Sequence, residues 1–276
     1  EDPQLLFTSF IKPHHPFDPP ESWAAEYPPD DIDILPGWLD ELPSLDAARG
    51  PGYFPNTELT QDSIRRVTAH YYATISHMDH HIGRILAKLK ETGQYDNTII
   101  VYTSDHGELM GFHHLLLKHN YMYEPLVRVP LFMKLPGQQD GGTRSAGLTS
   151  LVDLAPTLAR LSGVELPAGI EGQDMFTDSE REFLFAEFDN ELMVRTGDYK
   201  LLLMKNSEQC RLFDLTKDSN ETENRYADPE YAEIRRRLED AARKKFMFEA
   251  WPPLQGDQDA PSIDASNALG PLGGHR

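Results

Sequence analysis

The chain has 276 residues, of which 39% are hydrophobic and 26% are charged, a composition typical of a soluble globular protein of one large or two modest domains. Its 45 acidic and 26 basic residues give a formal net charge of −19, which argues against nucleic acid as a partner, because phosphate binding needs clustered Lys and Arg. A single cysteine rules out an intramolecular disulfide, no run has the length of a membrane helix, and a cytoplasmic location is slightly favoured.

A strand and a long loop are the first predicted elements. The apolar segment from Leu5 to Ile11 predicts a buried strand, and the Pro-rich, acidic loop from Pro13 to Gly52 is too long for a plain connection. Its aromatic residues Trp23, Tyr27 and Trp38 have two interpretations. They form walls of a substrate pocket, or they anchor the loop to the body of the protein.

The longest predicted helix runs from Thr60 to Thr92. Apolar residues recur along it at steps of three and four, with Thr60 as N-cap and Gly93 at the end. His77 and His81 have the i, i+4 spacing that can bind a metal. Acidic neighbours are few, however, so we favour a surface or packing role for these histidines.

The most informative segment is the apolar run from Thr98 to Ser104, which is followed by Asp105, His106 and Gly107. The run predicts a buried parallel strand, and residues just past the carboxyl end of such a strand line the ligand crevice of an α/β sheet. Asp and His offer a divalent metal one oxygen and one nitrogen, and the glycine lets the backbone turn away. The alternative is an Asp that caps the next helix and a His that packs beside it, and the dipeptide alone does not separate the two.

The hydrophobic period changes towards the C-terminus. The predicted elements are a strand over 129–135, a helix capped by Asp153 and running through Leu161, short strands over 183–188, 192–195, 199–204 and 211–215, and a charged helix over 231–248. We therefore divide the chain into an α/β part over 1–175, a small antiparallel-sheet subdomain with a terminal helix over 176–250, and a flexible tail over 251–276.

Five motifs spread along the chain are individually weak but occur together in one order. They are Lys12-Pro13-His14-x-Pro16, Ser104-Asp105-His106-Gly107-Glu108, Lys118 twelve residues past His106, Arg128-Val129-Pro130-Leu131, and Asp153-Leu154-Ala155-Pro156-Thr157-Leu158. Together they resemble the sulfatase family of the alkaline phosphatase superfamily, which includes iduronate-2-sulfatase, choline sulfatase and the phosphonate monoester hydrolases. The resemblance covers only the C-terminal two-thirds of such an enzyme. It implies an α/β fold with an alkaline-phosphatase-like layered sheet flanked by helices, and a smaller C-terminal antiparallel α+β subdomain.

The resemblance also assigns roles in the site. Asp105 and His106 match the second pair of metal ligands, for which Ca²⁺ is the usual ion and Mn²⁺ or Zn²⁺ also suits an imidazole. Lys118 matches the lysine that binds a sulfate oxygen near the leaving group, and His14 matches the histidine that binds there and protonates the leaving oxygen. His15, one residue further along an extended backbone, is expected to face elsewhere.

Other polar residues near these motifs are left out of the predicted site. His113 could enter the pocket, whereas His114 and His119 are better explained as solvent-facing or hydrogen-bonding residues. Glu108 has two equal interpretations: it orients a ligand, or it interacts with the positive end of a following helix. Cys210 is expected to be a small buried residue.

The nucleophile of the family is absent from this sequence. In sulfatases it is a formylglycine made within a Cys/Ser-x-Pro/Ala-x-Arg motif, and Cys210-Arg211-Leu212-Phe213 does not fit that motif. Asp30 and Asp31 follow two prolines in a polar loop, so we reject them as the family's first metal pair. The expectation is that the nucleophile and those ligands lie in an N-terminal segment that this chain lacks.

Three functional hypotheses follow. The first is a portion of a sulfuric ester hydrolase that binds a divalent metal and a small sulfate ester. The second is a phosphonate or phosphate ester hydrolase of the same superfamily, and the third is a non-catalytic remnant or binding module. The oligomeric state and the identity of the ester are beyond what the sequence indicates.

Overall fold

A computed structural model describes residues 4–47, 56–118, 121–138, 141–167, 169–177, 181–188 and 191–248. The tail predicted over 251–276, and His119, lie outside these residues. The structure has an α/β fold with two antiparallel sheets and one helix much longer than the others. Among the described residues, no helix combines the length and the apolarity needed to cross a bilayer.

The segment predicted as the first strand is irregular and exposed. Residues 4–11 contain no strand, and Leu5, Phe7 and Ile11 are 89%, 86% and 84% exposed. The prediction of a buried strand from Leu5 to Ile11 is therefore wrong for this structure. A strand needs a neighbour for its backbone hydrogen bonds, and no described strand pairs with this segment.

The loop that follows is held against the long helix. It contains two one-turn helices, α1 (Glu21–Ala24) and α2 (Ser44–Ala47). On that helix, His77 contacts the Trp23 ring at a centroid distance of 5.5 Å, and Ser76 Oγ lies 2.5 Å from Tyr27 Oη. Trp38 instead contacts the ring of His114, outside the helix, at 4.9 Å. These contacts support the anchoring interpretation of the three aromatic residues over pocket walls.

The long helix α3 (Gln61–Glu91) confirms the prediction, including its ends. Thr60 Oγ1 accepts a hydrogen bond from the Ser63 amide at 3.1 Å, and Ser63 Oγ accepts one from the Thr60 amide at 2.9 Å. Gly93 lies just beyond the helix with a φ of 70°. Of the predicted apolar stripe, Ile64 and Met78 are fully buried and the later positions are only half-buried.

The strand before Asp105 is β1 (Ile100–Thr103), and the strand predicted near residue 131 is β2 (Leu131–Lys134). They pair antiparallel, with Ile100 opposite Lys134 and Thr103 opposite Leu131. The prediction of a buried parallel strand is therefore wrong in this structure on both counts. With one strand neighbour, β1 is only half-buried along its whole length.

Two helices follow, α4 (Glu124–Val127) and α5 (Leu154–Ser162). Asp153 precedes α5 but does not cap it, which corrects the prediction. Its Oδ2 instead accepts a hydrogen bond from the Ser150 amide at 2.8 Å, and both of its oxygens bind the Arg181 guanidinium at 2.5 and 2.6 Å. Gly163, with a φ of 69°, ends α5 as expected.

The C-terminal region forms a four-stranded antiparallel sheet in sequential order, as predicted. Its elements are β3 (Leu184–Phe188), β4 (Glu191–Arg195), β5 (Tyr199–Met204), β6 (Arg211–Asp214) and the helix α6 (Ala232–Phe248). Cys210, just before β6, is buried, which confirms the prediction for it.

Successive side chains on each strand point to opposite faces of this sheet. Each of the two faces packs against a different part of the chain. Val194, Leu201 and Leu212 pack against α6, where they contact Leu238 and Ala242. The neighbouring side chains on the other face pack against the segment between β1 and α4, in a cluster with Met193, Leu202, Phe213, Leu109, Phe112, Leu115 and Tyr123. The sheet therefore supports the segment that carries Lys118.

Candidate active site

Asp105 and His106 lie directly after β1, as predicted. The Asp105 side chain is 86% exposed and the His106 side chain 40%, and Asp105 Oδ2 lies 3.7 Å from His106 Nε2. The His106 amide donates a hydrogen bond to Asp105 Oδ1 at 3.0 Å. Burial opposes ionisation of Asp105, but His106 and the nearby donors outweigh it and hold the pKa of this carboxyl below its usual range.

The orientation of the His106 ring is fixed by a backbone carbonyl. Its Nδ1 lies 2.8 Å from the Gly107 carbonyl oxygen, so Nδ1 carries the proton and donates it. The lone pair of Nε2 then points away from the backbone, which is the tautomer that a metal ligand needs. In this structure Lys118 Nζ lies 3.3 Å from that nitrogen and donates to it.

Gly107 allows the chain to turn sharply after His106. A Cβ at this position would lie 1.8 Å from the Pro125 carbonyl oxygen, and the Gly107 amide donates to the Leu126 carbonyl at 2.8 Å. Only a residue without a side chain allows this close approach of two backbones. The glycine therefore fixes the end of β1 against α4, with Asp105 and His106 held in front of it.

Lys118 ends a compact loop that is closed by its own backbone hydrogen bonds. The Leu109 amide donates to the Leu117 carbonyl at 3.2 Å, and the Gly111 amide donates to the Leu115 carbonyl at 2.8 Å. A side-chain acceptor outside the loop, Asn56 Oδ1, binds the Leu116 amide at 3.1 Å. The position of Lys118, twelve residues past His106 in sequence, is therefore fixed by a closed loop and not by a helix.

The same loop stores backbone strain. Four of its non-glycine residues have positive φ: Met110 at 45°, His113 at 53°, His114 at 62° and Leu117 at 65°. Such conformations cost about 1–3 kcal/mol each and persist only where the surroundings enforce them. Backbone strain immediately before Lys118 is consistent with a site in which the lysine must be held in a single conformation.

His14 and His15 lie in a turn whose Lys12–Pro13 and His15–Pro16 peptide bonds are cis. His14 Nδ1 lies 2.7 Å from the His15 carbonyl oxygen and donates to it, which leaves Nε2 as the nitrogen that can act on a ligand. Lys12 Nζ donates to the Pro16 carbonyl at 2.5 Å and pairs with Asp18. The lysine of the motif therefore holds the turn together.

His15 belongs to the same cluster, which corrects the prediction that it faces elsewhere. Its ring stacks on His14 with a centroid distance of 4.0 Å, because the turn is not the extended backbone that the prediction assumed. Burial lowers the pKa of His15, and the charges of His14, Lys118 and Lys12 lower it further. His14 and His15 therefore form one pair of stacked imidazoles within the turn.

Glu108 is half-buried, two residues past His106. Burial raises its pKa to about 7, against the opposing effects of backbone donors such as the Leu109 amide and of the charge of Lys118. No helix follows Glu108 directly, because residues 109–118 form the closed loop. The interpretation that Glu108 interacts with the positive end of a following helix is therefore wrong.

His113 and His114 are buried structural residues. His113 Nε2 donates to the Asn220 carbonyl at 2.7 Å, and His114 Nδ1 donates to the Leu39 carbonyl at 3.0 Å. His113 therefore faces the C-terminal subdomain and not the site. The hydrogen-bonding role predicted for His114 is confirmed.

A set of buried charges that was not predicted from the sequence joins α2 and α4 to the C-terminal sheet. Lys200, in the middle of the apolar strand β5, pairs with Glu221 at 2.7 Å and Glu124 at 2.8 Å. Arg211 pairs with the buried Asp46 at 2.8 Å. A lysine inside an apolar strand was the available signal, since such a residue is rarely buried without a partner.

The described residues contain no group of three or more His, Cys, Asp or Glu side chains placed to hold a metal. Asp105 and His106 supply an ionised oxygen and a correctly oriented nitrogen, so they fit part of a coordination sphere. A complete site needs further ligands.

Two family models match the chain. The model described as Sulfatase matches residues 1–164, and the model described as N-sulphoglucosamine sulphohydrolase, C-terminal, matches residues 111–246. The chain therefore belongs to the sulfatase family. The recognition made from the five motifs is confirmed.

The relatives and solved structures that match the chain are about twice its length. An arylsulfatase of Clostridium perfringens is 30% identical over 84% of this chain and 51% of its own length. A multifunctional alkaline phosphatase superfamily protein of Trinickia caryophylli is 29% identical over 89% and 55%. The structure of a phosphonate monoester hydrolase from Silicibacter pomeroyi matches with a TM-score of 0.77 and 27% identity over 86% of this chain and 55% of that one. The predicted fold class is confirmed, and the chain spans about half the length of these proteins.

Proposed function

We propose that this chain is the metal- and sulfate-binding portion of a sulfuric ester hydrolase that acts on a small sulfate ester. The observation that carries the proposal is the convergence of Asp105, His106 and Lys118, with Lys118 Nζ 3.3 Å from the ligand nitrogen of His106. A lysine ammonium group next to an imidazole that can bind a metal is suited to an anionic ligand. The ammonium group and the metal would both attract the oxygens of such a ligand.

Each residue has a role in this proposal. Asp105 and His106 hold a divalent cation, for which we propose Ca²⁺ with Mn²⁺ or Zn²⁺ as alternatives, and such a cation would polarise a sulfate oxygen. Lys118 leaves His106 when the ester binds and donates to a sulfate oxygen next to the leaving group. His14 donates a proton from Nε2 to the leaving oxygen, which requires the imidazolium form because Nδ1 is already a donor to the His15 carbonyl.

The nucleophile is proposed to lie in an N-terminal segment, as a formylglycine in the Cys/Ser-x-Pro/Ala-x-Arg motif. The exposed apolar segment between Leu5 and Ile11 and the exposed Phe132 on β2 support this proposal, since a soluble domain normally covers such residues. Among the described residues, β1 pairs with β2 alone, so one edge of β1 is open for pairing with a further strand.

A phosphonate or phosphate ester hydrolase is the second candidate function. Matches to the phosphonate monoester hydrolases of Silicibacter pomeroyi and Agrobacterium radiobacter, with TM-scores of 0.77 and 0.75, favour it. A non-catalytic sulfatase-like module is the third candidate, because the nucleophile motif is absent from the sequence. Rates on aryl sulfates and aryl phosphonates, measured side by side in the protein with its N-terminal segment, distinguish the three.

Substitution of Asp105 by Asn is expected to weaken metal binding by the intact protein, because it removes a formal charge from the coordination sphere. Calorimetric titration with Ca²⁺ and Mn²⁺ measures the change. Asp96→Asn, in the exposed turn before β1, is the matched control and should bind metal normally. An unchanged affinity in Asp105→Asn would remove Asp105 from the ligands.

Substitution of His14 by Ala is expected to slow esters with poor leaving groups far more than activated aryl esters, because only the former need a proton in the transition state. The measurement is the dependence of kcat/KM on the leaving-group pKa. His80→Ala, an exposed histidine on α3, should leave this dependence unchanged. A loss in His14→Ala that is equal for all leaving groups would leave His14 with a binding role only.

A further inference from the structure

Two histidines on α3 point their rings at each other, away from the site described above. His77 and His81 are one helical turn apart, and their Nε2 atoms are 3.0 Å apart. Their ring centroids are 4.7 Å apart at an interplanar angle of 70°. This centroid distance is shorter than a head-on arrangement of two imidazoles would give, so the two rings are tilted with their Nε2 atoms adjacent.

The two nitrogens are held at hydrogen-bond distance, and this spacing can be compared with the spacing that a shared metal ion requires. With metal–nitrogen bonds of about 2.0–2.1 Å, cis ligands of a square-planar ion are about 2.9 Å apart and ligands of a tetrahedral ion about 3.4 Å apart. The observed 3.0 Å is close to the square-planar value. Square-planar nitrogen sites are typical of Cu²⁺ and Ni²⁺, and Cu²⁺ is the ion of highest affinity among the divalent first-row metals.

The hydrogen bonds of His77 and His81 indicate the tautomer of each imidazole, and therefore which Nε2 atom has a lone pair for a metal. Arg84 Nη1 donates to His81 Nδ1 at 3.1 Å, so the proton of neutral His81 is on Nε2 and is donated to His77 Nε2. His77 therefore already has the tautomer of a metal ligand. His81 reaches it only when its proton moves to Nδ1, which requires that Arg84 swings away.

The surroundings favour a neutral His81 imidazole, and a nearby tryptophan provides a spectroscopic reporter. Partial desolvation lowers the pKa of His81, and the neighbouring His77 and Arg84 lower it further. A neutral ring keeps the lone pair that a metal needs. The Trp23 ring lies 5.5 Å from that of His77, so a paramagnetic ion at the pair would quench its fluorescence.

We propose that His77 and His81 form a surface binding site for Cu²⁺ or Ni²⁺, distinct from the site at Asp105 and His106. The two imidazoles supply cis nitrogen ligands, and water completes the coordination sphere. Arg84 limits the affinity of this site, because it both repels the cation and stabilises the wrong tautomer of His81.

Titration of the full chain with Cu²⁺, followed by electron paramagnetic resonance and Trp fluorescence, tests the proposal. A spectrum with two nitrogen ligands is expected, and His77→Ala or His81→Ala should each lose it and weaken the binding at least about tenfold, since either change removes the chelate. His70→Ala is the control on the same helix, because His70 Nδ1 contacts the Phe17 carbonyl and not a second imidazole. A spectrum and affinity unchanged in both His77→Ala and His81→Ala would overturn the proposal.

Arg84→Gln provides a test that does not depend on loss of binding. The amide is uncharged and its oxygen can accept a proton from His81 Nδ1, while Gln is as good a helix former as Arg. Tighter Cu²⁺ binding than in the unmodified chain is expected. Equal or weaker binding would overturn the role assigned to Arg84.

Discussion

Substitution of Lys200 by Met is expected to destabilise the protein by about 3–5 kcal/mol, the cost of leaving the buried Glu221 carboxylate without its partner. Lys200 is 0% exposed, and its Nζ also donates to the Met122 carbonyl at 2.9 Å. Without it, the fully buried Glu221 has no cation beside it, whereas the half-buried Glu124 still pairs with Arg195 at 3.1 Å. Urea unfolding followed by circular dichroism measures the change in the free energy of unfolding.

The effect of this substitution should depend on pH in a defined direction. Burial raises the pKa of Glu221 even in the presence of Lys200, and loss of the lysine should raise it further. Burial opposes ionisation of Glu124 too, but Lys200 and Arg195 together outweigh it and hold the pKa of Glu124 below its usual range, so loss of the lysine should raise that pKa as well. A carboxyl whose folded pKa is raised contributes most stability below its unfolded pKa of about 4.3 and loses that contribution as the pH rises. The difference between the variant and the unmodified chain should therefore grow between about pH 4 and pH 7.

Two further variants separate the buried charge from the loss of a lysine. Lys88→Met removes an exposed lysine that pairs with Glu91 on the surface of α3, and a change within about 0.5 kcal/mol is expected. Lys200→Met combined with Glu221→Leu should recover part of the stability, because one unpaired carboxylate is removed with its partner. A loss for Lys200→Met as small as that for Lys88→Met would contradict the structural role of the cluster.

The purified chain alone is expected to hydrolyse aryl sulfates no faster than buffer, even with excess Ca²⁺ or Mn²⁺. The sequence contains no motif from which a formylglycine could be made, so it has no activated nucleophile. A bound metal could in principle generate a hydroxide. Asp105 and His106, however, are only two ligands and would hold such an ion weakly.

The assay measures the rate at which a phenol is released from its sulfate ester, with and without added metal. Lys118→Ala in the same chain is the matched variant and should give the same background rate. Metal-dependent turnover by the chain that disappears in Lys118→Ala would show that a nucleophile is present and that its position has been misassigned.

Local signals predicted most of the secondary structure. Thr60 and Gly93 marked the ends of α3 because their capping chemistry is contained in a few neighbouring residues. The four strands of the C-terminal sheet were predicted because alternation and turns are equally local. The buried strand at Leu5–Ile11 and the parallel pairing of β1 were predicted wrongly, because both depend on which other strands lie beside them.

The candidate site was predicted in part. Asp105, His106 and Lys118 were found because motif spacing indicated them, and the structure brings His106 and Lys118 within 3.3 Å. The direction of His15 was predicted wrongly because it assumed an extended backbone, whereas residues 12–16 form a turn in which His15 stacks on His14. The Lys200 and Arg211 clusters were missed because their partners lie up to 165 residues away in sequence.

Aryl sulfate turnover by this chain expressed together with the segment encoded upstream of residue 1 tests the central claim most directly. We expect that segment to contain a Cys/Ser-x-Pro/Ala-x-Arg motif, and turnover to appear after its maturation and to fall by about 100-fold or more in Lys118→Ala. An upstream segment without the motif, or turnover that is equal in Lys118→Ala and the unmodified protein, would contradict the claim that Asp105, His106 and Lys118 form half of a sulfatase site.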